Sequence, residues 1–265
     1  MPQEPFYKAH WRQIDPDRMA AYKDGFAWSD ATEQLYQPAQ ISEGQNVADF
    51  GCGPGKVSVE IARRVGELGH VHAIDINEEF LQIVSQNAET AGVSSRLTTH
   101  LNDGEVLPLE SNLLDRVTAR NTLMYVDDPV VTLAEFHRML KPGGIAHAID
   151  GDWYMMVVQP IDPGLWYEFV GAASHACRNS DMGRKLYGCF AQANFQRIEV
   201  ALVANVDVEG RLAGMIRNMA KYARQSGTLD HGKIDRVLHE VEQAQRDGTY
   251  LAVSPQFVVT GQRAV

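Results

Sequence analysis

Residues 46–65 read "NVADFGCGPGKVSVEIARRV". A short apolar run ends in Asp49, a loop with Gly51, Gly53 and Gly55 follows, and a helical pattern begins. Glycine tolerates positive φ and lets a ligand approach the main chain. A helix starting near Gly55 turns its positive dipole end and N–H groups toward that ligand, an environment suited to a phosphate or carboxylate. The spacing is G-x-G-x-G. It is neither the dinucleotide G-x-G-x-x-G nor a Walker loop.

Outward from this loop the chain alternates. Strands are expected at 46–50, 70–76, 96–101, 115–120 and 145–150, and helices at 55–68, 78–91 and 129–140. Such alternation implies right-handed βαβ units on a parallel sheet, with ligands beyond the carboxyl ends of the strands. The second strand, "HVHAIDI", ends at Asp75, 20 residues after Gly55. A carboxylate there can accept from both hydroxyls of a ribose. A nucleoside with an amino-acid or phosphate tail is implied.

Together "VADFGCGPG", "AIDIN", "LNDGEVLPLESNLLDRV" and "MLKPGG" resemble the class I S-adenosylmethionine-dependent methyltransferases, in particular the ubiquinone/menaquinone-type group that acts on small molecules. The resemblance covers roughly residues 44–150. It implies an α/β, Rossmann-like doubly wound, mostly parallel sheet of the seven-stranded methyltransferase type, with N-terminal helices and a helical cap. It implies S-adenosyl-L-methionine as cofactor and S-adenosyl-L-homocysteine as product. Gly51, Gly53 and Gly55 then lie under the methionine part. Asp49 holds the loop and reaches the cofactor amino group, Asp75 takes the ribose, Ile76 touches adenine, and Asp103 with Gly104 meets the adenine amine. Asn121 stands where strand four exits past the sulfonium. Cys52 falls inside the loop, where a packing role is expected.

The acceptor side is less defined. Tyr125 follows strand four, Asp152 follows strand five, and His175 sits on an expected cap helix; these are the candidate catalytic residues. Asp150 stands beside Asp152 at the end of strand five, where either acid could instead be solvated or cap the next helix, while His147 and His137 read as structural. Aromatics crowd the flanks, and Tyr22, Trp28 and Trp153 are the expected lid and acceptor contacts. A pocket so lined suits a flat or conjugated acceptor and can face a sulfonium with ring faces. The division expected is 1–42 as helical lid, 43–152 as cofactor core and 153–265 as cap and completion of the sheet, all one compact unit. Asp30 and Glu33 stand at capping-box spacing for a helix in the first segment.

Bulk properties narrow the function. The 265 residues carry a formal net charge of −10, and 45% are hydrophobic. No Lys/Arg cluster marks a nucleic-acid face. No apolar run has membrane-spanning length, and "MPQEPFYKAHW" lacks a signal core. The three cysteines, Cys52, Cys177 and Cys189, form no paired framework, as expected of free thiols in the cytoplasm. No metal is expected. The expected function is in-line methyl transfer to a small aromatic or conjugated metabolite. The alternatives are a non-catalytic S-adenosylmethionine-binding accessory protein and a methyltransferase acting on protein or tRNA. A homodimer is left open, since no stretch marks an interface.

Overall fold

The computed structural model describes residues 4–24, 28–102 and 106–265. Three short helices come first: α1 (Phe6–Arg12), α2 (Pro16–Asp24) and α3 (Asp30–Tyr36). Asp15 caps α2 by accepting from the Arg18 N–H at 3.0 Å, and Pro16 opens the first turn, as its fixed φ favours. The cap of α3 is Ser29, one residue ahead of the expected Asp30. Glu33 is drawn away from the cap by Arg64 and the Trp28 indole.

The alternating core follows as β1 (Asn46–Phe50), α4 (Lys56–Val65), β2 (His70–Asp75), α5 (Glu78–Thr90), β3 (Leu97–Leu101), β4 (Leu114–Arg120), α6 (Pro129–Met139) and β5 (Leu140–Gly151). Strand five starts earlier than expected because "KPGG" is taken up as an irregularity: Leu114 pairs Leu140, but Arg116 pairs Ile145. Next come β6 (Val157–Gln159), α7 (Pro163–Ala173), α8 (Met182–Gln192), β7 (Gln196–Asp207), α9 (Ala213–Ser226), α10 (His231–Asp247) and β8 (Leu251–Gln262).

The first five strands are parallel in the order β3-β2-β1-β4-β5. β8 then runs antiparallel to β5, and β7 lies antiparallel on the other edge of β8. The short β6 is the eighth strand and pairs with β8 beyond the end of β5. The sheet is therefore mixed but mostly parallel through its core, a Rossmann-like doubly wound arrangement.

Alternation along β1 sends Val47 to one face and Ala48 to the other, so each face carries its own core. Ile61, Ala62 and Val65 of α4 and Val84 and Ala88 of α5 cover the first face. The second is covered by α6 to α10, with the Phe136 ring edge-on to Phe50 at 5.3 Å. Among the described residues no helix is long and apolar enough to cross a membrane.

The glycines after β1 serve different ends. Gly51 and Gly55 have φ of +70° and +77°; a Cβ on Gly51 would lie 2.2 Å from Thr122 Oγ1, and one on Gly55 2.5 Å from Val84 Cγ2. Gly53 has φ +52°, with nothing within 4 Å of a Cβ. Gly55→Ala is therefore expected to destabilise by about 2–4 kcal/mol, combining left-handed strain with a clash against α5, and Gly53→Ala by about 1 kcal/mol. Urea unfolding of both variants checks this ordering.

Candidate active site

Strand order reverses between β1 and β4, and a cavity of about 1090 Å³ opens there, beyond the strand ends. Its floor includes Asp49, Gly51, Cys52, Gly53, Asp75, Ile76 and Asn121. Gly55 is not on the wall; it is the left-handed N-cap of α4, packed against α5. Asp103 and Gly104 lie outside the described residues.

The loop is held from beneath by main-chain bonds. Gly51 N–H and Cys52 N–H both donate to Ile74 O, at 2.8 and 3.1 Å, and Gly55 N–H donates to Cys52 O. Gly53 N–H donates to Asp75 Oδ2 at 2.8 Å, while Asn77 N–H donates to Asp75 Oδ1 at 2.9 Å. The loop N–H groups are thus committed to the fold, contrary to a cradle that aims them all at a ligand. Gly53, bare of a side chain, and the first turn of α4, whose N-cap provides no side-chain bond, are both on the cavity wall. Asp75 is buried, and its carboxylate keeps acceptor capacity for a hydroxyl beyond these two bonds. Burial raises its pKa, and the backbone N–H groups of Asn77, Gly53 and Ile76 oppose that rise.

Asp49 is buried at the end of β1 and accepts from Ser58 Oγ at 2.5 Å and Thr118 Oγ1 at 3.3 Å. Burial pushes its pKa up to about 6 against those bonds. Arg120, at the end of β4, lines the cavity with a buried Nε that has no partner among the described residues. Asn121 takes φ +51°, which Asn tolerates, and its N–H donates to Ile149 O at 2.7 Å. Behind it Asp150 accepts from Leu123 N–H at 3.1 Å and sets the turn at 121–125. The Cys52 thiol is buried, and burial raises its pKa, an environment that disfavours the reactive thiolate.

The roof comes from distant parts of the chain. α1 and α2 bring Trp11, Arg18 and Tyr22; α9 brings Met215, Met219 and Tyr222. Tyr125 also lines the cavity, its ring edge-on to Trp11 at 4.9 Å. Its hydroxyl meets the Cys177 thiol, and burial holds its pKa well above the ordinary value. It can donate a hydrogen bond but is no base at neutral pH. Trp153 reaches the wall as expected.

Three other expected residues do not reach the cavity wall. Asp152 is buried beneath it, where both carboxylate oxygens meet Arg184, and it caps the turn at Tyr154. His175 stacks on Phe6 at 5.0 Å and its Nδ1 lies 3.2 Å from Ala172 O. Trp28 lies under the Arg64 guanidinium, 4.5 Å from the ring centroid, and donates to Glu33. His147 is structural as expected: Nε2 lies 2.9 Å from Leu35 O, and burial lowers its pKa to about 4. Arg18, Arg120 and Tyr222 escaped the sequence reading. The Asp15-Pro16 start placed the helix of Arg18, but nothing local signalled that residues 200 positions on would enclose it.

Comparison with known proteins agrees with this geometry. Residues 48–148 match the family described as a methyltransferase domain. The demethylmenaquinone methyltransferase of Listeria welshimeri is 32% identical over 167 residues, 61% of this chain and 66% of that protein. An uncharacterized transposon protein of Streptomyces fradiae is 26% identical over 211 residues, 78% of this chain and 60% of the other. The chain thus spans about 60–66% of the length of these relatives. The geranyl diphosphate C-methyltransferase of Streptomyces coelicolor, solved with S-adenosyl-L-homocysteine, shares the fold: TM-score 0.59, 17% identity and 99% of each chain covered.

Two outcomes follow from the geometry. Asp152→Ala is expected to lower stability by about 1–3 kcal/mol through the lost cap and ion pair, with S-adenosylhomocysteine affinity unchanged, as calorimetry on the folded variant would show. The raised pKa of Asp49 means the folded state keeps its proton longer than the unfolded chain. Its contribution to stability is full below about pH 4 and is lost as pH rises through about 6. Melting temperatures across pH 4–8 should therefore show Asp49→Asn gaining on the wild type between those two values and running parallel to it above them.

Proposed function

The chain belongs to the class I S-adenosylmethionine-dependent methyltransferase family, and on that premise we propose that it methylates a small, flat, aromatic or conjugated metabolite in the cavity at the end of β1 and β4. The observation that carries this reading is the roofed cavity in which Asp75, the bare Gly53 and the α4 N-terminus share a floor while Trp11, Tyr22, Tyr125 and Tyr222 form a roof.

The residues present fit the cofactor. Asp75 would take the ribose hydroxyls and Ile76 the adenine face. The buried, partnerless Nε of Arg120 and the α4 N-terminus would meet the carboxylate of the amino-acid tail, and Asp49, once ionised, its ammonium. Bound there, the cofactor supplies a methyl carbon activated by a positively charged sulfur. The protein's work is alignment and exclusion of water. Residues 1–42 act as the lid, 43–152 as the cofactor core and 153–265 as the cap that closes over the acceptor.

The enclosure favours a small molecule over a protein side chain or tRNA. Relatives named for demethylmenaquinone and geranyl diphosphate support the same size class. Among the described residues of the wall, Tyr125 is held protonated, Asp127 is bonded to Lys8 and Tyr7, and Asp128 caps α6, while Asp152 lies off the wall on Arg184. An acceptor that needs little deprotonation fits best. The free, buried thiols suit a cytoplasmic setting, and a homodimer stays open.

Asp75→Ala is expected to weaken S-adenosylmethionine by about 1–3 kcal/mol with the fold retained. Calorimetric titration of wild type and variant reads this directly, and equal affinities would remove the ribose assignment. Transfer of a labelled methyl group in a screen of aromatic metabolites tests the activity itself.

A further inference from the structure

Arg18 is 7% exposed, yet it carries a full charge into the cavity roof. Three aromatic rings surround its guanidinium: Trp11 at 5.0 Å, Tyr22 at 5.8 Å and Tyr222 at 5.8 Å from their centroids. Nη1 has a marginal contact with His10 O at 3.5 Å, and the Tyr22 hydroxyl is within hydrogen-bond reach of the guanidinium. Nε and Nη2 have no hydrogen-bond partner among the described residues. A buried cation left this way is costly, and ring faces offset only part of the loss.

The two idle nitrogens form one edge of the guanidinium plane. Elsewhere in this chain that edge grips a carboxylate. Arg138 Nε and Nη2 each lie 2.8 Å from an oxygen of Glu135, and Arg184 holds Asp152 through the same pair. Arg18 lines the cavity roof and holds the identical fork buried there, with no side chain on it among the described residues. Arg217 and Lys221 on α9 add positive charge at the cavity rim, in a chain whose net charge is −10. Asp127, which also lines the cavity, is bonded to Lys8 and Tyr7, and Asp128 caps α6. With the cofactor carboxylate seated at Arg120 and the α4 N-terminus, the counter-charge for Arg18 arrives with the acceptor.

The geometry points to Arg18 as the seat of a carboxylate carried by the methyl acceptor, which is therefore an aromatic or conjugated acid. This rests on the function proposed above and deepens it. The Trp11, Tyr22 and Tyr222 rings grip the flat body, and the Arg18 fork fixes its acidic end, leaving the opposite end toward the cofactor.

The test uses the full chain loaded with S-adenosylhomocysteine. Benzoate, cinnamate and indole-3-acetate are titrated against benzamide, cinnamamide and indole-3-acetamide, with phenyl phosphate alongside, on wild type, Arg18→Gln and Arg18→Lys. At least one acid is expected to bind roughly tenfold tighter than its amide in the wild type, the gap closing in Arg18→Gln and shrinking in Arg18→Lys. S-adenosylhomocysteine affinity should stay within about twofold in both variants, which also reports that they fold. Acids that bind no better than amides, including no binding by either, overturn the proposal. So does a gap that survives in Arg18→Gln. Loss of S-adenosylhomocysteine affinity in Arg18→Lys would assign the arginine to the cofactor instead, and tighter binding of phenyl phosphate than of every acid would replace the carboxylate by a phosphate. A wild type that fails to bind S-adenosylhomocysteine would refute the proposed function itself, a result read before any acid is added.

Discussion

The bond from Gly53 N–H to the Asp75 carboxylate is the constraint on which the cleft depends. It ties the end of β2 to the loop after β1, and Asn77 N–H locks the other oxygen of the same acid. With the loop fixed there, Gly51 can tuck under Thr122 and Gly55 under Val84, and Gly53 lines the cavity with open space where a Cβ would stand. A longer side chain or a displaced carboxylate would push the loop into the space a ligand needs. Close approach is thus built by spending the loop's own N–H groups on the fold and leaving one bare Cα outward.

Both signs of charge line the cavity. At the sheet end Asp49 and Asp75 are buried with raised pKa values, beside Arg120 at the end of β4. Toward the helices stand Arg18 in the roof and Arg217 and Lys221 at the rim, with Asp127 and Asp128 on the wall before α6. On the proposed reading, the ammonium and ribose of the cofactor meet Asp49 and Asp75, its carboxylate meets Arg120, and an acidic acceptor meets Arg18. Arg18 and Arg120 would then gain the partners that their buried nitrogens lack, and Asp49 and Asp75 would add to the bonds they already hold, so binding would relieve a cost that folding alone carries.

The core was readable because its signals are local. Alternating strand and helix periods, the glycine spacing and Asp75 at a fixed interval all lie within residues 46–75. The doubly wound sheet follows from them, and so does the floor of the cleft. Asp152, His175 and Trp28 were singled out by residue type and by position near strand or helix ends, but whether such a side chain faces ligand or protein depends on partners far along the chain. Arg184 claims Asp152, Phe6 and Tyr222 enclose His175, and Arg64 covers Trp28. Arg18 was invisible for the converse reason: an arginine in a short polar helix reads as surface until Tyr222 arrives from α9. Tertiary burial of a charge has no sequence period.

The central claim is that one cavity holds a nucleoside on Asp75 and an acceptor on Arg18. A crystal structure of the complex with S-adenosylhomocysteine tests it most directly. The account predicts ribose hydroxyls within hydrogen-bond distance of the Asp75 carboxylate, the amino-acid tail toward Arg120 and Asp49, and no cofactor atom on the Arg18 fork. A nucleoside seated away from Asp75, or a cofactor carboxylate gripped by Arg18, would contradict it.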